Sequence, residues 1–379
     1  MLVHPGIQRL FGGKPKLIKK GTPTPIPCNL SQSTGINPLK SNTEQHTNKM
    51  STRPKTMRAL LQPNIQEPRL IQTTLDIPTP DLNADEHLIR VRCVSPCANE
   101  LNWLKNFPQP NPRTAIPCND VAGTIVQAPE NSPFRVGDEV YARTSFLRPG
   151  CAADYAIGVT DELTHRPKQL SWAASTAVPL SAQTAWQALF VQSGIGEFGS
   201  GEWTGKRVLV TAASGGVGIW ITQIAKLVGA TVIGTCGSRN VNLVKALGAS
   251  EAIDYRATDL RQWALQPGNG VDLVIDCVGG KSLTDAWWCV KDGGVVISIF
   301  QPPEQVRPEG LGEKNVRSLF FIMEPKRAQL EAITRLVAEG KCRPIVDSIW
   351  PLELFDEAFT RLDGGHARGK IILDLSLNQ

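Results

Sequence analysis

No stretch of this 379-residue sequence approaches the roughly 18 consecutive apolar residues that a membrane span requires. Nine cysteines (Cys28, Cys93, Cys97, Cys118, Cys151, Cys236, Cys277, Cys289 and Cys342) are an odd number and widely scattered. They form no CxxC pair, so neither a disulfide framework nor a zinc ribbon is indicated, and a reducing compartment is expected. None of the five histidines (His4, His46, His87, His165 and His366) stands in a metal-ligand pattern. Positive charge is scarcer in the body than the net +5 suggests. Residues 1–56 hold nine Lys/Arg against Glu44 alone, which leaves 31 basic and 34 acidic residues, a net −3, in 57–379. The body therefore offers no basic surface for nucleic acid.

What is present is an ordinary soluble composition, 41% hydrophobic and 20% charged, on a length that suits two domains. Residues 1–56 lack apolar periodicity, are rich in Pro, Ser, Thr and Asn, and read as a disordered basic leader. Two readings compete for it. A basic, hydroxyl-rich, nearly acid-free segment suits a mitochondrial presequence. A non-native extension is the other, because Met50 and Met57 both resemble natural starts. Pro5, Gly6, Gly12, Gly13 and Pro15 oppose the amphipathic helix that import needs, so a cytoplasmic protein is the expectation and a mitochondrial one the alternative.

From Met57 to about Leu180 short strands are predicted, broken by turn residues; Leu88–Val94 alternates in strand fashion and Val121–Val126 is extended. Four prolines between Phe107 and Pro117 exclude a central strand there. Ser171 to Phe190 has helical spacing behind a Ser171 cap. Beyond Gly205 strands near 207–212, 231–236, 251–254, 271–277 and 293–299 alternate with helices at about 216–228, 240–247, 281–290 and 326–339. Alternating βαβα with apolar strands implies a parallel sheet covered on both faces. Strand character returns at Pro344–Trp350 and Lys370–Asp374, where the tail rejoins the first domain. The domains expected are thus 57–180 with 343–379, and 181–342.

The run Val208-Leu209-Val210 feeds a small-residue turn, Ala212 to Gly218, which opens into a helix and then a second strand, Thr231–Gly234. Strand, glycine turn, helix and strand together are the context of a dinucleotide-binding site. Ser214, Gly215, Gly216, Val217 and Gly218 are the candidate pyrophosphate contacts, Gly215 and Gly218 being the close-approach positions. A carboxylate at the end of the second strand would bind the ribose hydroxyls of NAD; Ser238 and Arg239 stand there instead. A hydroxyl and a guanidinium suit a 2′-phosphate, so NADPH is the expected cofactor. The plainer reading of Ser238 is a cap for the helix near Asn240.

These residues resemble the medium-chain dehydrogenase/reductase superfamily, in its zinc-independent quinone oxidoreductase and enoyl reductase branch, over residues 57–376. The resemblance is carried by Gly137-Asp138-Glu139-Val140, Gln183 to Leu189, the AxxGxxG turn Ala212–Gly218, Leu243 to Ala249, Ala252 to Tyr255, Asp276 to Gly279 and Gly369 to Ile372. It implies an α/β protein with a GroES-like β-rich catalytic domain, a Rossmann cofactor domain with a doubly wound parallel sheet, and an active site between them. It implies that Tyr255 joins Ser238 and Arg239 at the 2′-phosphate, that Thr184, Cys277 and Val278 lie near the nicotinamide, and that Lys370 lines the phosphate groove. A homodimer is implied by the same analogy.

Zinc relatives place a Cys and a His where this sequence has Asn99 and Asn119. Amides are poor zinc ligands and a catalytic site needs three good ones, so no metal is expected. Hydride addition to an electrophilic acceptor, a quinone or an α,β-unsaturated carbonyl, is then favoured over alcohol oxidation. Asn99 is the candidate partner of the substrate carbonyl and Tyr155 the candidate proton donor. Beside this NADPH-dependent reductase stand a trans-acting enoyl reductase tailoring a biosynthetic intermediate and a non-catalytic NADPH-binding interaction protein. The loops Trp103–Pro117 and Phe146–Cys151 are expected to shape the pocket for a small-molecule substrate.

Overall fold

The computed structural model describes residues 54–108 and 113–377, and the readings made for residues 1–56 lie almost wholly outside the described residues. Between Thr56 and His165 the chain forms strands β1 (Thr56–Leu61), β2 (Ile71–Asp76), β3 (Glu86–Ser95), β4 (Asp120–Gln127), β5 (Glu139–Arg143), β6 (Tyr155–Val159) and β7 (Leu163–His165), with the short helix α1 (Trp103–Asn106). The described residues 113–119 before β4 form no strand. Helices α2 (Trp172–Thr176) and α3 (Pro179–Gln187) lead towards the cofactor domain. The spacing of 171–190 predicts one helix there. Ser171 does cap it, its Oγ accepting from Ala174 N at 3.1 Å, but the run is divided at Pro179. Proline has no N–H and clashes inside a helix, so it is accepted as the first residue of a second one.

Next come β8 (Arg207–Val210), α4 (Gly218–Leu227), β9 (Thr231–Cys236), α5 (Val241–Ala246), β10 (Glu251–Asp254), α6 (Leu260–Ala264), β11 (Val271–Asp276), α7 (Gly280–Trp287), β12 (Val290–Ser298), β13 (Arg317–Phe320) and α8 (Arg327–Ala338). The six strands form one parallel sheet in the order β10-β9-β8-β11-β12-β13. β13 escapes the sequence pattern because it is four residues at a sheet edge, none of them fully buried. Strand order reverses between β8 and β11, so the crevice that receives a nucleotide in this topology opens beyond their C-terminal ends. Val208, Leu209, Val210, Leu273, Val274 and Ile275 are fully buried in those two strands, each contributing roughly 1.5–3 kcal/mol.

The chain ends in β14 (Val346–Pro351), α9 (Phe355–Asp363) and β15 (Lys370–Asp374). Both strands return to the first domain, whose seven-stranded sheet runs β14-β15-β3-β4-β5-β7, with β6 also paired to β3. Ile89, Val91, Val121, Ile125, Val140 and Ala142 form the core of this sheet, whereas Ala122 and Tyr141, on the opposite face, pack into the core of the cofactor domain. One face of β4 and β5 therefore forms part of the wall between the domains. Among the described residues no helix is long and apolar enough to cross a membrane.

Candidate active site

The glycine turn is held between its neighbouring strands. Thr211 N donates to Ile275 O at 3.1 Å and Ala213 N to Thr235 O at 2.9 Å, while Ala212 adopts a left-handed φ of 49°. A Cβ on Gly218 would lie 2.3 Å from Ala212 O and 2.7 Å from Ala213 Cα, so only glycine lets the helix start against the turn. No side chain caps α4, and although Ile219 N donates to Gly215 O at 3.1 Å and Trp220 N and Ile221 N donate to Val217 O at 3.0 and 3.1 Å, the N–H groups of Val217 and Gly218 at the helix start have no acceptor among the described residues. They are available to a phosphate.

At the end of β9, Ser238 and Arg239 are exposed and the Tyr255 ring lies beside Gly237, where a Cβ would be 3.9 Å from Tyr255 Cε1. Tyr255 is held there by its N–H, which donates to Cys236 O at 3.2 Å, and half of the residue is exposed. The structure thus brings Ser238, Arg239 and Tyr255 to one rim. Ser238 does not cap the following helix; Asn240 occupies that position, without a capping side-chain bond. Instead the Asn240 amide donates to Ser214 Oγ at 3.0 Å and accepts from Arg368 Nε at 2.6 Å, while Arg368 also donates to Arg239 O at 3.0 Å. Arg368 was not foreseen. It lies more than a hundred residues from Arg239 in sequence, and only the return of the tail, with Gly369 N donating to Ser214 O at 3.0 Å, places it there.

Across the crevice, Asp276 is fully buried and gathers three donors: Thr211 Oγ1 at 2.8 Å, Gly279 N at 2.8 Å and Ser298 Oγ at 3.0 Å. Burial raises its pKa, against the effect of those bonds. Thr211 Oγ1 in turn accepts from Cys277 N at 2.8 Å. This network orients the segment carrying Cys277, half-buried, and Val278, exposed, at the mouth of the crevice. Thr184 is buried, and its hydroxyl donates to Leu180 O at 2.7 Å within α3. The same helix reaches the turn through Ser181, whose Oγ would lie 3.1 Å from a Cβ on Gly216.

Two expected placements need correction. Lys370 is buried and does not line an open groove. Its stem passes Gly216, and its ammonium donates to Pro96 O at 2.9 Å and stands 3.2 Å from buried Asp120, the partner that draws it inward. Tyr155 is opposite Arg90 on β3, five residues from Ser95, about 16 Å along the strand from the end that leads to Asn99. It packs against the catalytic core and lines a separate cavity of about 410 Å³ with Arg90, Arg92 and Trp172. Pairing register, invisible in sequence, removes it from the cleft.

The segment around Asn99 is shaped by Glu100, which is buried and accepts from Cys97 N and Cys118 N, both at 3.0 Å. Desolvation pushes its carboxyl up to about 7, against those two bonds. Asn99 is exposed at φ 63°, and its Oδ1 accepts from Asn102 Nδ2 at 2.7 Å. That bond leaves the Asn99 NH2 as the group able to donate to a substrate oxygen. Asn119 faces inward, donating to Thr144 Oγ1 at 3.3 Å and Ser145 O at 3.4 Å. Burial pushes the Cys97 thiol up to about 11 and the Cys118 thiol well above its usual range, so neither is a ready thiolate. Asn99 and Asn119 place amides, which are poor zinc ligands, at two positions where a catalytic zinc would need good donors. The turn, the rim cations and the Asp276 network do fit a dinucleotide.

Residues 83–170 match the family described as alcohol dehydrogenase GroES-like domain, and residues 247–373 the one described as zinc-binding dehydrogenase. A protein of Arthroderma benhamiae named "Probable zinc-binding oxidoreductase, mitochondrial" is 50% identical over 323 residues, 84% of this chain and 97% of its own. The "Quinone-oxidoreductase homolog, chloroplastic" of Spinacia oleracea is 34% identical over 79% of this chain and 93% of its own. The structure of the quinone oxidoreductase from Coxiella burnetii superposes with a TM-score of 0.72 at 28% identity, covering 85% of this chain and all of that one. With this fold and this crevice, the chain belongs to the medium-chain dehydrogenase/reductase family, in its quinone-oxidoreductase-like branch, and is an oxidoreductase that uses a nicotinamide cofactor.

Proposed function

We propose that the protein is an NADPH-dependent reductase that adds hydride to a quinone or an α,β-unsaturated carbonyl without zinc. The observation that carries this reading is the rim at the end of β9, where Ser238, Arg239, Tyr255 and Arg368 converge and β9 itself ends without a carboxylate. Two guanidiniums suit a 2′-phosphate through charge-assisted, bidentate contacts. Bound here, the cofactor supplies the hydride. The chain's own residues do the rest: the helix start holds the pyrophosphate, the Asp276 network orients the nicotinamide side, and the Asn99 amide donates to the acceptor carbonyl as negative charge develops on its oxygen. With Tyr155 on a distant face, water delivers the proton.

Absorbance of NADPH at fixed protein, followed with a panel of quinones and enones, tests the reading. Consumption with at least one acceptor, and NADPH bound at least tenfold more tightly than NADH, is the expected result. Equal or tighter NADH binding overturns the cofactor assignment. Tight NADPH binding without turnover of any acceptor leaves a non-catalytic binding protein. For residues 1–56 we favour the mitochondrial reading over the cytoplasmic one, because relatives from Arthroderma benhamiae and Homo sapiens carry "mitochondrial" in their names.

A further inference from the structure

Arg143, the last residue of β5, is 2% exposed. Side chains alternate along a strand, so it shares a face with Tyr141 rather than with Val140 and Ala142. That face is turned to the cofactor domain, since Tyr141 Oη lies 2.6 Å from Thr334 Oγ1 on α8. On the neighbouring strand Asp120 stands opposite Arg143, and its Oδ1 accepts from Leu180 N of α3 at 2.7 Å. The guanidinium thus belongs to the cleft between the domains, with its Cζ 5.8 Å from the centroid of the Phe146 ring.

Among the described residues this guanidinium makes no hydrogen bond or ion pair, and its Nε is buried without an acceptor. The carboxylates around it are already engaged. Asp120 accepts from Leu180 N and pairs with Lys370 at 3.2 Å, although its Oδ2 makes no hydrogen bond; Glu162 is held by Arg148 and the N–H groups of Ser145 and Val159, and Glu100 by the N–H groups of Cys97 and Cys118. Arginine has five donors in a rigid fork and does not relieve burial by losing its proton. A buried cation without a partner is unfavourable in a folded protein unless a ligand completes it. Burial pulls its pKa down, against the attraction of Asp120 and Glu162.

The neighbours describe the rest of the ligand. Trp103 and Phe107 meet Phe146 edge to face, at 6.2 and 6.4 Å between ring centroids, giving an aromatic wall beside the guanidinium. Such a wall favours a flat, conjugated body. We propose that Arg143 anchors a carboxylate on the acceptor, so that the preferred acceptors are planar enones or quinones bearing an acid group. The proposal rests on the reductase reading for turnover, and on the cleft alone for binding.

The test uses the full chain as wild type, Arg143→Met and Arg143→Lys, with 3-benzoylacrylate and its methyl ester, two planar enones that differ in charge. Reduction of either consumes one hydride from the cofactor and one proton from water, leaving the saturated ketone. The wild type is expected to favour the acid at least tenfold in kcat/KM. That ratio falls at least tenfold in Arg143→Met, chiefly through KM, with Arg143→Lys between. Binding of the saturated 3-benzoylpropionate and its ester to the protein–NADP+ complex, measured by calorimetry, reads the same preference without turnover. Equal binding of acid and ester by the wild type, or a wild-type ratio in Arg143→Met, overturns the proposal. If neither these enones nor any acceptor of the quinone and enone panel is reduced, yet the acid still binds at least tenfold more tightly, the reductase reading fails and the anion site stands. Should Arg143→Met not fold, the wild-type ratio and Arg143→Lys decide.

Discussion

Lys370 Nζ stands 3.2 Å from Asp120 Oδ2, with both side chains almost completely buried. The pair links the returning tail to β4, and its second bond, to Pro96 O, reaches the segment that carries Asn99. Burial opposes the ammonium charge, but Asp120, Cys97 and Glu100 together leave the lysine pKa raised, while burial also raises that of Asp120. Because the lysine stem also lies against Gly216, one side chain spans the cofactor turn and the catalytic wall.

Lys370→Met leaves Asp120 charged and buried with only the Leu180 N–H, and is expected to cost about 3–5 kcal/mol in urea unfolding. The double variant with Asp120→Asn keeps the acceptor for Leu180 and removes the charge, so it should lose less than the single variant. A double variant at least as unstable as Lys370→Met would contradict the ionic account.

Gly218→Ala places a methyl against two backbone atoms, which cannot move without opening the turn. Cofactor affinity should fall at least tenfold by fluorescence titration, with a stability loss of about 1–3 kcal/mol from overpacking. Wild-type affinity would show that the turn relaxes at no cost.

Arg239→Ala and Arg368→Ala should each weaken NADPH binding about tenfold and narrow its preference over NADH, as expected for loss of a charge-assisted contact. Arg368 also bonds Asn240 and Arg239 O, so its removal should loosen the rim as well. An unchanged NADPH-to-NADH ratio in both variants would remove the 2′-phosphate from this rim.

Glu100 gives a pH dependence of defined sign. Its folded pKa, about 7, lies above its ordinary value of 4.5, so the neutral form is the one that burial favours. Its contribution to stability is full below pH 4.5 and is lost as pH rises through about 7, by up to roughly 3 kcal/mol. Unfolding measured from pH 4.5 to 8 should show this component in the wild type and lack it in Glu100→Gln.

Residues 1–56 fused to a fluorescent protein should direct it to mitochondria, and the basic residues Lys14, Lys16, Lys19 and Lys20 replaced by Gln should abolish the effect. Diffuse cytosolic fluorescence of the unaltered fusion would restore the cytoplasmic reading.

Local chemistry made much of this protein legible. The β8 run, the small-residue turn and the apolar helix behind it specify a βαβ unit because each feature is a property of consecutive residues. Ser238 and Arg239 are readable for the same reason, since they directly follow a recognisable strand. Asn99 and Asn119 are legible by residue type alone as amides, which are poor zinc ligands. What consecutive residues cannot carry is register and return. Tyr155 looks like a cleft residue until its pairing with Arg90 sets it on another part of the sheet. Lys370 looks like a phosphate ligand until burial beside Asp120 claims its charge. Arg368 comes to the rim only because β15 crosses back to the first domain, and Arg143 faces the cleft only because Tyr141, two residues earlier, packs on α8. The sequence by itself determined the cofactor fold and the chemistry of its glycine turn. The tertiary structure alone decided which charges are spent on partners and which are left for a ligand, because pairing between distant residues depends on the distances and desolvation that the fold imposes.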